Sequence, residues 1–313
     1  AAGAGSDTRG GGARRVVMSA TGVDKSYPGV VALDRVDFGV RAGEVHALMG
    51  QNGAGKSTLI KILTGAVTPD AGEMRLEGRR FEPRTPAQAQ RLGVNAVYQE
   101  VNLVPTLSVA ENLFLGRQPR RWWGVDWGGM RRRAREVVAR VGVRVDVDRP
   151  VGALPLALQQ MVAIARAVEM DARVLVLDEP TSSLDRRECD ELFEIMGRLR
   201  SRGLGLVFIT HFIEQVYRIS DRITVLRSGR VVGTYDAASL SRAQLVAEML
   251  GRQVAQGGGD KSAATSGERE ERARAALRVR GVAKLGVMGP VNLEMAPGEV
   301  VGLAGLLGSG RTE

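Results

Sequence analysis

A single cysteine, Cys189, stands in 313 residues, so no internal disulfide can form and a reducing compartment is expected. Aromatic residues make up only 4% of the sequence against 40 glycines, which points to a chain shaped by backbone turns. No apolar run approaches the roughly 18 residues of a membrane span. The start, AAGAGSDTRGGGARR, holds no apolar stretch of the kind found in a secretory signal. The expectation is a cytoplasmic protein. Charge is not one-sided: 44 Lys and Arg face 35 Asp and Glu, a net +9. A basic balance can signal nucleic acid or an anionic membrane. Here arginines are spread along the chain, and solvated arginine-rich faces account for most of them. Their densest cluster, RQPRRWWGVDWGGMRRR (117–133), also holds all three tryptophans, Trp122, Trp123 and Trp127. It reads as a surface insertion; a membrane or partner contact is the other reading.

What is present is an ordinary 44% of hydrophobic residues, in a chain long enough for one large domain or two smaller ones. Residues 1–15 read as a disordered leader and 16–251 as a domain. The stretch GRQVAQGGGDKSAATSGEREERAR (251–274) is Gly-, Ser- and charge-rich, as linkers are, and a linker is expected over 252–275. An internal repeat crosses it. VDFGVRAGEVHALMGQNGAGKST (36–58) aligns without gaps on VNLEMAPGEVVGLAGLLGSGRTE (291–313), at a constant offset of 255, with eight of 23 positions identical. Residues 276–313 are therefore expected to open a second copy of the domain.

GQNGAGKS (50–57) fits the phosphate-binding pattern G-x-x-x-x-G-K-[ST] in full. VHALM before it reads as a buried strand, and STLIKILTG after it as a helix closed by Gly65. Gly50, Gly53 and Gly55 let the backbone N–H groups of Gln51, Asn52, Ala54 and their neighbours converge on a phosphate without side chains in the way. The helix start adds its positive dipole end. Lys56 is placed to reach the β- and γ-phosphates of ATP, Ser57 to ligate Mg²⁺, and Thr58 to line the site. VLVLDE (174–179) is the expected partner: a strand buried on both faces delivers Asp178 to the metal and Glu179 to the attacking water. A buried strand ending in a solvated acid pair is the plainer alternative.

In these motifs the sequence resembles the ATP-binding cassette ATPases over about residues 16–250. The resemblance implies an α/β fold: a P-loop NTPase (RecA-like) core with an antiparallel β subdomain and a helical subdomain, followed here by the start of a second cassette. It implies that Tyr27, in DKSYPGVVAL, stacks on adenine, with a surface tyrosine as the alternative. Gln99, in VYQE, matches a glutamine that contacts the metal and senses the membrane partner. Asp185, in TSSLD, matches the loop that communicates across a cassette dimer, and His211, in VFITH, the histidine that contacts the γ-phosphate. His46, within a strand, reads as structural. YPGVVALDRVDF, YQEVNLVPTLSVAENLFLG and LQQMVAIARA resemble the ATPase subunits of bacterial carbohydrate importers of the ribose/galactose/xylose type, which carry two cassettes. Their second phosphate loop is commonly of the GRTE kind seen at the end of this chain. The implied partners are membrane permease subunits, the second cassette in cis and, indirectly, a periplasmic-type sugar-binding protein. The implied location is the cytoplasmic face of the membrane, held peripherally, with no nucleic acid partner.

The sequence departs from that pattern at LPLAL (154–158), where Leu-Ser-Gly-Gly-Gln is expected ahead of a helix over 159–170. Pro155 takes the serine position and Leu158 the glutamine position. Proline suits a helix start but removes a hydroxyl and an N–H; each lost hydrogen bond to a charged phosphate costs about 1.5–3 kcal/mol. In the second loop Arg311 replaces the lysine. Two composite sites are implied, the first built on Lys56, Asp178, Glu179 and His211, the second joining residues 305–312 to 154–158 and weaker or regulatory. A ribosome-acting tandem cassette protein is the rival reading, although such proteins have two intact loops and a longer charged helical linker. A DNA-repair cassette ATPase needs a long coiled-coil insertion that the spacing between Lys56 and Asp178 excludes.

Overall fold

The computed structural model describes residues 14–98, 102–251, 276–284 and 288–302. Gln99, the linker at 252–275, residues 1–13 of the leader and the second phosphate loop at 305–312 lie outside the described residues. The chain divides into two compact units, residues 1–255 and 256–313.

The first unit opens with a long hairpin, β1 (Val16–Tyr27) and β2 (Val30–Arg41), and then β3 (Val45–Met49) enters the centre of the domain. Along β2 the buried residues Val36, Phe38 and Val40 alternate with more exposed ones, so one face lies on the core. After β3 come α1 (Lys56–Leu63), β4 (Ala71–Leu76), β5 (Arg79–Arg80), α2 (Pro86–Leu92) and β6 (Val94–Val97). A helical layer follows: α3 (Val109–Leu113), a small hairpin of β7 (Arg120–Arg121) and β8 (Gly124–Val125), α4 (Trp127–Val141) and α5 (Leu156–Glu169). The chain returns through β9 (Val174–Asp178), α6 (Arg186–Ser201), β10 (Gly205–Ile209) and α7 (Ile213–Ile219). It finishes with β11 (Arg222–Arg227), β12 (Arg230–Asp236) and α8 (Arg242–Leu250).

Two sheets result. The four-stranded one runs β2-β1-β4-β5 and is antiparallel; the six-stranded one runs β12-β11-β3-β10-β9-β6 and is parallel except for the edge strand β12. The strands β3 and β10 are buried at every residue, the burial expected of a parallel sheet covered on both faces. Helices α3, α4 and α5 share one apolar cluster with α6 and one face of the parallel sheet. The antiparallel sheet shares another with α1. The expected α/β architecture, with its antiparallel and helical subdomains, is present.

Helix starts follow local chemistry. Ser108, Asp185 and Ser241 each form a reciprocal capping box with the residue three positions on. The expected helix over 159–170 begins earlier, at Leu156, and Pro155 is its N-cap rather than its first turn. The LPLAL stretch thus contains the helix start itself.

The second unit holds one described hairpin, β13 (Leu277–Lys284) and β14 (Met288–Met295). Its register repeats part of that of β1–β2. The pairs Ala20↔Phe38 and Val23↔Val36, with a bulge between them, reappear as Val279↔Leu293 and Val282↔Val291. The bulge is closed by Gly22 N donating to Asp37 Oδ1 at 2.7 Å, and by Gly281 N donating to Asn292 Oδ1 at 2.8 Å. Arg41 N donates to Glu44 Oε1 at 2.6 Å, and Ala296 N to Glu299 Oε2 at 2.8 Å. Gly43 and Gly298 both turn with positive φ, 67° and 76°.

Candidate active site

Three neighbouring parallel strands, β3, β10 and β9, end on one edge of the sheet, the edge at which α/β sheets bind ligands. At the end of β3 the chain passes through residues 50–55 into α1. Gly50 takes φ 155° with a Cβ position only 2.2 Å from the Leu226 carbonyl oxygen. Gly55 takes φ 106°, and a Cβ there would meet the Ala32 oxygen at 2.6 Å. The loop is thus pressed between β2 and β11, where a side chain at either position has no room. Ala54 O accepts from Gly229 N at 3.0 Å, and Gln51 Nε2 donates to Met249 O at 3.1 Å, which ties the loop to the β11–β12 turn and to α8. Asn52 and Gly53 are exposed at its crest; Ser57 is exposed and Thr58 half-buried in the first turn of α1.

Lys56 folds back over this loop, its Nζ donating to Gly50 O at 2.7 Å and Gln51 O at 2.9 Å. Burial lowers its pKa, while the charges of Glu179 and Asp178 act in the opposite direction. Those two acids stand at the end of β9. Burial and the neighbouring Glu179 raise the Asp178 pKa, with Lys56 opposing. The loop lysine and both carboxylates therefore share one electrostatic site. Glu179 adopts φ 49°, a left-handed backbone that is uncommon for a side-chain-bearing residue and is often found at functional positions. Its N–H donates to Ile209 O at 3.0 Å, which locks the turn to β10. His211, two residues past β10, places Nδ1 3.6 Å from Glu179 Oε1 and packs at a tilt of 41° on Phe212, with ring centroids 4.0 Å apart. The strands thus bring Lys56, Asp178, Glu179 and His211 together from positions up to 155 residues apart.

Tyr27 is 39% exposed at the tip of the β1–β2 hairpin, with Lys25 Nζ 5.8 Å from its ring centroid. Asp185 is the N-cap of α6, its Oδ1 accepting from Glu188 N at 2.8 Å. Pro155 gives α5 no side-chain cap, and Ala157 stands at the second glycine position of the expected Leu-Ser-Gly-Gly-Gln.

Two groups escaped the sequence reading. Gln215, on α7, accepts at Oε1 from Thr181 Oγ1 at 2.6 Å and from Thr210 Oγ1 at 3.2 Å, joining the turn after Glu179 to the turn that carries His211. Nothing in its local sequence marks it. Behind the phosphate loop strand, Glu44 is 1% exposed and holds Arg41 N and Arg222 Nη1, at 2.6 and 3.2 Å. His46 is fully buried beside it, with Nδ1 2.8 Å from Gly39 O and Nε2 2.7 Å from Thr224 Oγ1. One polar residue lies within a buried strand and the other immediately before it, and that was the available signal.

A protein family described as ABC transporter matches residues 33–182. The galactofuranose transporter ATP-binding protein YtfR of Escherichia coli (strain K12) is 49% identical over 300 residues, 95% of this chain and 59% of that protein. The ribose import ATP-binding protein RbsA 1 of Rubrobacter xylanophilus is 50% identical over 299 residues, 96% of this chain and 58% of that protein. The chain thus spans less than two thirds of the length of these relatives. Among solved structures, cbiO1 from Clostridium perfringens, part of an ABC transporter complex, superposes with TM-score 0.64 at 24% identity, covering 76% of this chain and 96% of that one. A dimeric bacterial ABC transporter cassette superposes with TM-score 0.60 at 25% identity, covering 70% and 98%.

Proposed function

The chain carries an ABC transporter ATPase domain, and from that premise we propose that it binds and hydrolyses ATP to power import of a sugar through a membrane permease. The observation that carries this reading is the convergence of Lys56, Asp178, Glu179 and His211 at one sheet edge, with His211 Nδ1 3.6 Å from Glu179 Oε1. The backbone N–H groups of residues 51–56 and the Lys56 ammonium cradle the β- and γ-phosphates. Glu179 accepts a proton from the attacking water as general base. His211 is placed to donate to the γ-phosphate, and its contact with Glu179 couples the two. The Ser57 hydroxyl and the Asp178 carboxylate are hard oxygen donors of the kind Mg²⁺ takes, so the residues fit that ion, which when bound would neutralise charge on the phosphate oxygens. Tyr27 stacks on adenine from the hairpin tip.

Gln99 and Asp185 are assigned to communication, with the permease and across the cassette dimer. Residues 276–313 are assigned to a second cassette, whose opening hairpin repeats the first; the linker lies between. The first site hydrolyses ATP with the second cassette's help, while the site that uses Pro155 and Arg311 is weaker. The permease sits on the helical layer, and a periplasmic-type binding protein delivers the sugar. Among the described residues no helix is long and apolar enough to cross a membrane, and the reading places the chain peripherally on the cytoplasmic face. The test is uptake of a panel of labelled sugars by cells carrying the full-length gene with Lys56 or with Lys56→Ala. Loss of uptake of one sugar in the variant is expected. Unchanged uptake of every sugar that the gene supports would exclude the reading.

A further inference from the structure

The hairpin β7–β8 takes no part in the site just described. Its two-residue turn is Trp122-Trp123, with the side chains 93% and 94% exposed and the rings edge to face at 6.0 Å between centroids. Two-residue hairpins commonly carry Asn, Asp or Gly at these positions; neither tryptophan takes a positive φ here, and nothing in the turn backbone calls for an indole. Two indoles in water contribute nothing to a core, so folding does not account for them. Trp127, four residues on at the start of α4, is 49% exposed.

Charge surrounds the turn. Residues 117–133 contain six arginines, Arg117, Arg120, Arg121, Arg131, Arg132 and Arg133, against one acid, Asp126; Arg131 pairs with Asp148 at 2.9 Å and Arg133 with Glu169 at 3.5 Å, so the charge at the turn itself is that of Arg120 and Arg121. The Asp126 carboxylate is engaged as the cap of α4, accepting from Gly129 N at 2.9 Å. Arg120 and Arg121 are the two exposed residues that lead directly into the turn. Trp favours the headgroup level of a bilayer, where its apolar body and N–H are both accommodated. Guanidinium groups add attraction to anionic lipid. Two adjacent guanidinium groups flanking an exposed indole pair complement an extended surface of negative charge with an apolar layer beneath it.

We propose that the β7–β8 hairpin docks directly on an anionic lipid bilayer, with Trp122 and Trp123 in the headgroup layer and Arg120 and Arg121 on lipid phosphates. The contact needs neither ATP nor a permease, so it stands or falls separately from the function proposed above. The test mixes the 313-residue chain with sucrose-loaded vesicles of phosphatidylcholine, with or without about a third of phosphatidylglycerol. All three tryptophans of the chain lie within residues 117–133, so its intrinsic emission reports on this segment alone. The chain should sediment with anionic vesicles only, with a blue-shifted emission quenched by brominated lipid. Each arginine near an anionic surface contributes roughly fivefold in affinity, so R120A/R121A should weaken binding by about 25-fold. W122S/W123S should abolish the blue shift; these exposed positions leave the fold intact. As a control for general basicity, R79A/R80A alters another exposed hairpin and should bind like the native chain. No partition of the native chain, equal binding by W122S/W123S, or an equal loss in R79A/R80A would overturn the proposal. So would cross-linking of the tip to a membrane protein without vesicle binding.

Discussion

Serine in place of Pro155 separates the stability of α5 from its nucleotide role. Pro155 holds φ −53° and ψ 150°, a backbone that serine adopts readily, and it offers the helix no side-chain acceptor. A serine Oγ would accept from the N–H of Ala157 or Leu158, a gain of about 1 kcal/mol. Losing the ring frees the unfolded chain, at a cost of about 0.4–1 kcal/mol. The two effects nearly cancel, so a urea midpoint should move by less than about half a molar. Binding should respond differently. The serine hydroxyl and its N–H add donors at a helix N-terminus, each worth about 1.5–3 kcal/mol against a charged phosphate, or at least about tenfold in affinity. The assay is equilibrium binding of labelled ATP to the full-length protein, with the urea titration run on the same samples. Unchanged stability with the proposed second ATP site tightened at least about tenfold is expected. If stability holds but neither site tightens, the start of α5 does not face nucleotide and the composite-site reasoning fails.

Gly55→Ala places a Cβ 2.6 Å from the Ala32 oxygen at φ 106°, whereas Gly53→Ala meets nothing within 4 Å at φ 77°. Steric and conformational costs together should destabilise the first by about 3 kcal/mol, against about 1 kcal/mol for the second, as read by urea unfolding; equal losses would refute the packing described for the loop. Burial opposes ionisation of Glu44, but contacts from His46, the Arg41 N–H and Arg222 outweigh it and hold its pKa below the ordinary 4.5. Its stabilising charge is therefore fully present above that ordinary value and is lost as pH falls through the lowered one. Glu44→Gln should cost about 1–3 kcal/mol at neutral pH, with the difference from the native chain closing in acid; a difference independent of pH would show that the charge is irrelevant.

The phosphate loop and its flanking strand and helix were legible because their chemistry is local: glycines at fixed offsets, a buried apolar strand, a lysine at the turn. Asp178 and Glu179 were legible for the same reason, at the end of a fully apolar strand. The repeat was visible over 36–58 only. Its continuation through β1 and β13 escaped notice because the paired Lys25 and Leu33 are eight residues apart in sequence and the paired Lys284 and Met288 only four, which breaks the constant offset, and only the shared bulge restores the pairing. The link made by Gln215 joins residues 34 apart through side chains, which no spacing rule encodes. The start of α5 was misplaced because LPLAL lacks the serine that would have marked its cap. The β7–β8 turn was illegible as a hairpin because Trp122 and Trp123 contradict ordinary turn chemistry.

The most direct test is ATP turnover by the full-length protein, assembled with the proposed permease, with Glu179→Gln. The substitution keeps the shape of the side chain beside His211 and removes its capacity to accept a proton. The account predicts retained ATP binding with turnover reduced by roughly 10²–10⁴. Binding and turnover both at the native level would contradict it.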